Sequence, residues 1–502
     1  MNAPTSTDDD PKERREGVVR GTATVLATYV GTATFTAVLT LYLVRALGPT
    51  EFGLFSLAGG VAGLLTLAAD FGIGASASRF MAEQLGDRRA LARLFADATR
   101  LKLIVAGAVA VVLFAAAGLI ADAYDEPALA WPLRAFAAAL LAHSVFTLFS
   151  SIFIAIRRTA VNLRMVLVES ASELGATVAL VAAGAGATGA ATGRALGYGV
   201  GALFGLLLAV RLLGRGAAAV HRRGSRRMAQ LRQYALTLWI VNGAYTIFSS
   251  LDLIVIGAIL NAAAVGAFAA PLRLTLLLGY PGLAIANGVT PRLARQDGEP
   301  PDTRTLQHAF RVMVVVQAAM VAPLLVWAEP IVTLLLGSQY DASVAVLRWM
   351  TIFIFLQGFA SLASLAVNYV GEARRRIVWA VGAVVINLVI DLTLLRPLGV
   401  VAAAIGTSVA YAFYVAGHMW LCRQVLNLRV RPIAITVLRS AAAVLAMGAV
   451  LAAFGTSDLS PVAWIAGLVL STAAFGGVLL ALREVTPDEL RWARARFLPR
   501  RN

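Results

Sequence analysis

Apolar runs of roughly 20 residues recur along the whole chain, parted by short polar turns. They fall at 21–44, 52–77, 101–121, 133–156, 165–184, 190–213, 233–257, 266–290, 309–336, 344–370, 377–395, 399–422, 433–454 and 461–482. Each is about the length a helix needs to cross a hydrocarbon core of about 30 Å, so the pattern predicts an all-α, polytopic membrane protein with about 14 transmembrane helices. The first turn, Arg45-Ala46-Leu47-Gly48-Pro49-Thr50-Glu51-Phe52-Gly53-Leu54-Phe55, is expected to hand one helix over to the next. A tail at 1–20 leads into a six-helix lobe at 21–213, which ends in a basic linker at 214–232. A second six-helix lobe occupies 233–422, two additional helices lie within 433–482, and a tail at 483–502 closes the sequence. In that tail Thr486-Pro487-Asp488-Glu489 has the cap, proline and acidic residue of a helix start.

The two six-helix blocks run in the same orientation. An offset of 213 residues pairs Leu47 with Leu260, Gly53 with Gly266, Phe55 with Phe268, Arg79 with Arg292 and Gly193 with Gly406. Identities at this frequency arise by chance in a chain rich in Ala, Leu and Gly, so the repeat rests on the layout. Parallel repeats of this kind are a transporter arrangement, with the substrate site between the halves.

Composition agrees. Hydrophobic side chains make up 59% of the 502 residues and charged ones 14%, whereas soluble domains hold near 45–50% and 25%. The net charge of +16 is concentrated in alternate turns, among them Arg157-Arg158 with Arg164, Arg374-Arg375-Arg376, and Arg423 with Arg429 and Arg431. This positive-inside pattern assigns both termini to the cytoplasm and leaves no need for a nucleic-acid partner. The turns assigned to the outside are short, the longest around Asp122-Ala123-Tyr124-Asp125-Glu126-Pro127, too short for a folded external domain. The opening residues lack the order of a cleaved signal.

Enzyme signatures are absent from the sequence. Lys12 and Lys102 are the only lysines and no Gly-Lys-Ser/Thr loop occurs, so ATP is not consumed by this chain. His143, His221, His308 and His418 are scattered without carboxylates at ligand spacing, so neither a metal site nor a cofactor is expected. The single cysteine, Cys422, rules out an internal disulfide.

Polar groups inside spans carry the functional signal, because a charge near the bilayer centre costs on the order of 3 kcal/mol and turns toward a bundle interior. Arg273 lies about 10 Å deep in the eighth span, between Pro271 and Pro281, which are expected to interrupt that helix. It either faces a cavity or snorkels to headgroups, and the same alternatives apply to Arg194 in the sixth span. Glu169 and Glu173 share a face of the fifth span; they carry coupling ions or pair with Arg164 or a neighbouring span. Asn387 and Asp391 share a face of the eleventh span, and Asp252 is similarly placed on the seventh. Asp70 is expected to pair with Arg79 or to cap a helix. Glycines at 189, 193, 197, 201 and 205 form a four-residue ladder, a packing seam in which backbones approach closely.

Arg45-Ala46-Leu47-Gly48-Pro49 with Phe52-Gly53, then Asp70-Phe71-Gly72 and Arg79 with Ala82, resemble the opening signature of the polysaccharide transporter family, the lipid-linked oligosaccharide flippases of the multidrug and oligosaccharidyl-lipid exporter superfamily. Gly371-Glu372 with Arg374-Arg375-Arg376, Asn387, and Leu398-Gly399-Val400-Val401-Ala402-Ala403-Ala404 resemble its late pattern. The resemblance implies two six-helix lobes around a central cavity plus two extra C-terminal helices, working by alternating access in the plasma membrane of a bacterium or archaeon. It implies a polyprenyl-diphosphate-linked oligosaccharide as substrate, with membrane lipids and glycan-assembly enzymes as partners. Arg273, Arg194, Asp252 and Asn387 are then candidates for substrate contact, and Glu169, Glu173 and Asp391 for a coupling ion. Related peptidoglycan-precursor flippases line the cavity with arginines of the first, second and eighth spans, of which this chain has only Arg273. An alternative is a cation-coupled exporter of small amphiphiles. A membrane glycosyltransferase would need a larger outer loop than Asp122–Glu126.

Overall fold

The computed structural model describes residues 11–214, 243, 246–289, 303–370 and 372–486, and these are helical with no strand among them. The basic linker beyond Gly214, the start of the seventh predicted span, Arg292 and the tail from Pro487 lie outside the described residues. By internal contacts the chain divides into two units, Met1–Leu47 with Leu54–Ser250, and Gly48–Gly53 with Leu251–Asn502. Among the described residues, 11 helices are long and apolar enough to span a membrane. The chain is a multi-pass membrane protein.

The first helix, α1 (Pro11–Asp70), holds the first predicted span and most of the second, whose end is cut off where Phe71 and Gly72 take positive φ. The expected turn at Arg45–Phe55 is instead a kink. Gly48 takes φ 71° and ψ 176°, a conformation essentially confined to glycine, and Pro49 starts the second arm, where a missing N–H costs nothing. Polar residues there reflect the kink rather than a loop.

The first unit continues with α2 (Ile73–Ala82), α3 (Arg88–Ala123), α4 (Ala130–Ala155), α5 (Thr159–Ala182) and α6 (Gly186–Leu213). Asp87 caps α3 by accepting from the backbone N–H of Arg89 and Ala90, each at 2.9 Å. The core gathers around a Phe95–Phe149 stack 4.8 Å apart, with Phe153 and Met165 buried beside it. The glycine ladder of α6 lies along α5 as expected. A Cβ at Gly193 would stand 2.3 Å from Thr177 Oγ1, at Gly197 2.5 Å from Glu173 Cβ and at Gly201 2.6 Å from Glu169 Cβ. No larger residue fits this seam without separating the helices.

The second unit takes up α7 (Thr246–Ile259) from Leu251, then α8 (Ala262–Leu278), α9 (Tyr280–Val289), α10 (Thr303–Val326), α11 (Ala328–Leu335), α12 (Ala342–Tyr369), α13 (Arg376–Leu398), α14 (Val401–Leu426), α15 (Val430–Ala453) and α16 (Pro461–Ala481). The Gly48–Gly53 segment packs on the start of α8 with reciprocal geometry. A Cβ on Gly53 would lie 1.7 Å from the Ala262 carbonyl oxygen, and one on Gly266 would lie 1.9 Å from the Pro49 carbonyl oxygen. Pro49 and Ala262, like Gly53 and Gly266, are partners under the 213-residue offset. At this crossing the 213-residue offset coincides with a reciprocal backbone contact.

The last two helices are fastened by polar anchors. Trp327, fully buried, donates its indole N–H toward the carbonyls of Leu451 and Gly455, at 3.2 and 3.0 Å. Glu484, just past α16 and 2% exposed, accepts from Arg311 Nε at 2.8 Å, Thr436 Oγ1 at 2.8 Å and Arg439 Nη1 at 3.0 Å. Arg439, stranded in a span by the sequence pattern, has its counter-charge there. Burial alone would push the Glu484 carboxyl up, but hydrogen bonds from Arg311, Thr436 and Arg439 outweigh it and hold the group below its ordinary value of 4.5. A depressed carboxylate stabilises at neutral pH, and that contribution fades as pH falls through the folded-state value. Glu484→Gln is therefore expected to cost about 2 kcal/mol at neutral pH, after allowance for the partly exposed arginines, and to flatten the acid side of the stability profile. Thermal melts of the detergent-solubilised protein from neutral to acidic pH measure both effects.

Candidate functional site

Three helices of the second unit bring together Asp252 of α7, Asn387 and Asp391 of α13, and Thr407 of α14. Asn387 and Asp391, one turn apart, are fully buried; Asp252 is 5% and Thr407 2% exposed. The Asn387 amide Nδ2 donates to Asp252 Oδ1, and Thr407 Oγ1 donates to Asp252 Oδ2 at 2.6 Å. Asp391 supplies the second carboxyl group, one turn from Asn387 on α13. Asn387 Oδ1 and both Asp391 carboxyl oxygens are buried without a hydrogen-bond partner. Gly406 leaves room for them, since a Cβ there would lie 2.9 Å from Asp391 Oδ1 and 3.2 Å from Asn387 Oδ1.

Acceptors of this kind, buried and unsatisfied, cost about 1–3 kcal/mol each. Two neighbouring buried carboxylates also cannot both ionise without a positive charge between them. A proton or a small hard cation meets both needs, and the donor set of carboxylate, amide and hydroxyl oxygens suits a cation that prefers oxygen. Among the described residues no three His, Cys, Asp or Glu side chains gather in a metal-binding group. Two carboxylates with two neutral oxygens match a monovalent ion better than a transition metal.

A second cluster lies within the first unit. Glu173 of α5 pairs with Arg194 Nε of α6 at 3.0 Å, and Glu169, one turn away, accepts from Ser170 Oγ at 3.0 Å. The glycine ladder makes the pairing possible, because only a bare α6 face admits both glutamates. The Arg194 guanidinium stands 5.9 Å from the Phe55 ring centroid and 6.0 Å from that of Tyr198, within cation–π range. Tyr198 meets His143 edge to face at 4.7 Å. Arg194, Tyr198 and His143, with Phe136, Thr66 and the glycines 59 and 63, line a recess of about 180 Å³. It combines aromatic faces, a cation and hydrogen-bonding groups, which suits a polar ring or sugar.

The expected Asp70–Arg79 pair is not the one formed. Asp70 Oδ1 accepts from Lys102 Nζ at 2.5 Å, while Arg79 pairs with Glu83 at 3.4 Å. The physical reason is burial. Lys102 is fully buried on α3 and needs a counter-charge far more than the exposed Arg79 does. Glu169 and Glu173 have Arg194 as their charged neighbour rather than Arg164. Arg273 is half-buried on α8 and joins neither cluster. Pro271 sits inside the helix without breaking it, and the interruption comes at Gly279, between α8 and α9. Sequence reasoning missed Thr407, His143, Tyr198 and Lys102. Thr407 beside Gly406, one turn beyond Ala403 and Ala404 on α14, was the available signal.

The family described as polysaccharide biosynthesis protein matches residues 18–296, and the family described as MatE matches residues 223–393. No curated protein sequence matches. Among solved structures, the chain is similar to the lipid II flippase MurJ in an inward closed conformation, with a TM-score of 0.75, 11% identity, and coverage of 92% of this chain and 99% of that one. It is also similar to a multidrug resistance MATE family transporter of the MOP superfamily in an inward-facing conformation, with a TM-score of 0.61, 19% identity, and coverage of 77% and 93%. The eukaryotic MATE transporter AtDTX14 aligns with a TM-score of 0.55 at 13% identity, over 84% of this chain and 100% of that one.

The Glu173–Arg194 pair yields a direct test. Glu173→Gln removes the carboxylate paired with Arg194, leaving only Glu169 nearby, and is expected to cost about 3 kcal/mol, and adding Arg194→Gln should recover more than half of that loss. A double-mutant cycle on thermal stability in detergent measures the coupling.

Proposed function

This chain belongs to the polysaccharide biosynthesis protein family, and from that premise we propose that it is a flippase. It carries a polyprenyl-diphosphate-linked oligosaccharide from the inner to the outer leaflet by alternating access, for cell-surface polysaccharide or glycan export. The observation that carries this reading is the likeness of the fold, along nearly its whole length, to a lipid II flippase. Physics demands such a device, since each unpaired polar group of a sugar head costs several kcal/mol in hydrocarbon, while the lipid tail can stay in the bilayer throughout. The chain works in the plasma membrane of a bacterium or archaeon with both termini in the cytoplasm, and glycan-assembly enzymes supply its substrate.

Within this reading the two clusters take different roles. The recess beside Arg194 contacts the head group, and Arg273, whose planar fork matches two phosphate oxygens at once, contacts the diphosphate. Asp252 and Asn387, first considered for substrate contact, join Asp391 and Thr407 as the coupling-ion site, because their oxygens converge on one another. Glu169 and Glu173 hold Arg194 in place and respond to protons reaching that recess. When bound, a monovalent cation at Asp252 and Asp391 would supply the positive charge that the carboxylates lack.

Two measurements test this. Loss of the protein is expected to trap glycan lipid on the cytoplasmic leaflet; unchanged exposure on the outer leaflet would sink the idea. In reconstituted vesicles Asp391→Asn is expected to remove the dependence of flipping on an imposed sodium or proton gradient, with a fall of about tenfold or more. A gradient response equal to that of the unaltered protein would exclude the site. The MatE match and the oxygen-lined cluster favour a second reading, a cation-coupled exporter of small amphiphiles. Drug accumulation in cells with and without the gene separates the two.

A further inference from the structure

The second unit treats two groups of arginines differently. Arg311 and Arg439 converge on Glu484. Arg423, Arg429 and Arg431, at the junction of α14 and α15, are exposed, and among the described residues none takes part in an ion pair with a carboxylate. They border a recess of about 710 Å³, together with Asn427 and Pro432. Its volume exceeds what an inorganic ion needs and falls within the range of small-molecule sites.

The recess is held open by the fold. Asn427 adopts a left-handed conformation, φ 53°, and ends α14. The next residue, Leu428, is 2% exposed and packs into the hydrophobic core with Leu306 and Ile433. The Gln307 amide donates to the Arg429 carbonyl at 3.5 Å, tying the turn to α10. The turn is thus anchored between flanking arginines. Arg429 is also the N-cap of α15, a helix start without a side-chain cap, which adds positive potential on the same side. Trp420, one turn before Arg423, is 50% exposed, as suits a tryptophan at the headgroup boundary.

We propose that this recess is a phosphate-recognising site for the headgroup of an anionic phospholipid, held at the junction between the second lobe and the two additional helices. Where the fold itself neutralises an arginine it supplies Glu484; here the counter-anion comes from the lipid. The phosphodiester takes the guanidinium forks and its acyl chains lie along the apolar outer faces of α14 and α15. The placement in the inner leaflet rests on the positive-inside orientation, but the binding does not.

The test uses the full-length protein in detergent, with phosphatidylglycerol, phosphatidylcholine and inorganic phosphate as separate probes. The unaltered protein is expected to gain several degrees of melting temperature with phosphatidylglycerol, a shift that corresponds to about 1–3 kcal/mol, and little with phosphatidylcholine. Arg423→Gln, Arg429→Gln and Arg431→Gln combined should abolish the difference, while the three Arg→Lys changes, which control for folding, retain part of it. Native mass spectrometry of each single Gln variant should show fewer retained phosphatidylglycerol molecules than the unaltered protein. Equal lipid selectivity in the triple Gln variant would overturn the proposal. Stabilisation by millimolar phosphate equal to that by the lipid would overturn the lipid as its source. These readouts do not involve transport, so their failure is distinct from failure of the flippase reading.

Discussion

A charge inside hydrocarbon has to find its counter-charge within the protein, and in this chain that requirement decides which helices stand together. Glu173 holds Arg194 across α5 and α6, Asp70 holds Lys102 across α1 and α3, and Glu484 holds both Arg311 and Arg439 across the base of α10 and α15. Apolar packing alone would not select these neighbours, because lipid tails are as apolar as leucine. The ion pairs and the small-residue seams supply the selectivity. The Asp252 cluster departs from the rule by holding more negative charge than its hydrogen bonds offset. In the proposed reading a mobile positive charge offsets that surplus.

The same reasoning separates the two clusters in kind. Arg194 is charge-paired with Glu173 and flanked by rings, and the rest of the recess beside it is lined by groups other than carboxylates. Asp391 has burial without satisfaction. A transporter needs both, a shaped surface that recognises the cargo and a site whose charge state can change during the cycle. In the proposed flippase cycle, the recess beside the glycine ladder is assigned the first role and the facing turns of α13 and α14 the second.

Much of this was legible in the sequence. The apolar runs gave the helices, the four-residue glycine spacing gave the α5–α6 seam, and the spacing of Asn387 and Asp391 put them on one face. Local periodicity sees what one helix does. It cannot see that Thr407 sits opposite Asp252, because a hydroxyl in an apolar helix leaves the pattern undisturbed. Lys102 was hidden for a related reason, standing at the very edge of the 101–121 apolar run although it lies well inside α3. The kink at Gly48 reads as a loop in any window, since glycine, proline and polar residues signal both. Pairings across helices were therefore where the structure added most.

The contact of Gly53 and Gly266 bears on how this sequence came to look as it does. In a chain built from two copies of one unit, most positions lie off the local axis and face different surroundings in each copy, so nothing keeps them alike. A position on the axis meets its own duplicate, and any side chain it gained would collide with the corresponding backbone. At this crossing a Cβ on either glycine would meet the backbone of the other segment, which holds both positions to glycine. Among the identities that the offset pairs, this one has a steric reason to persist.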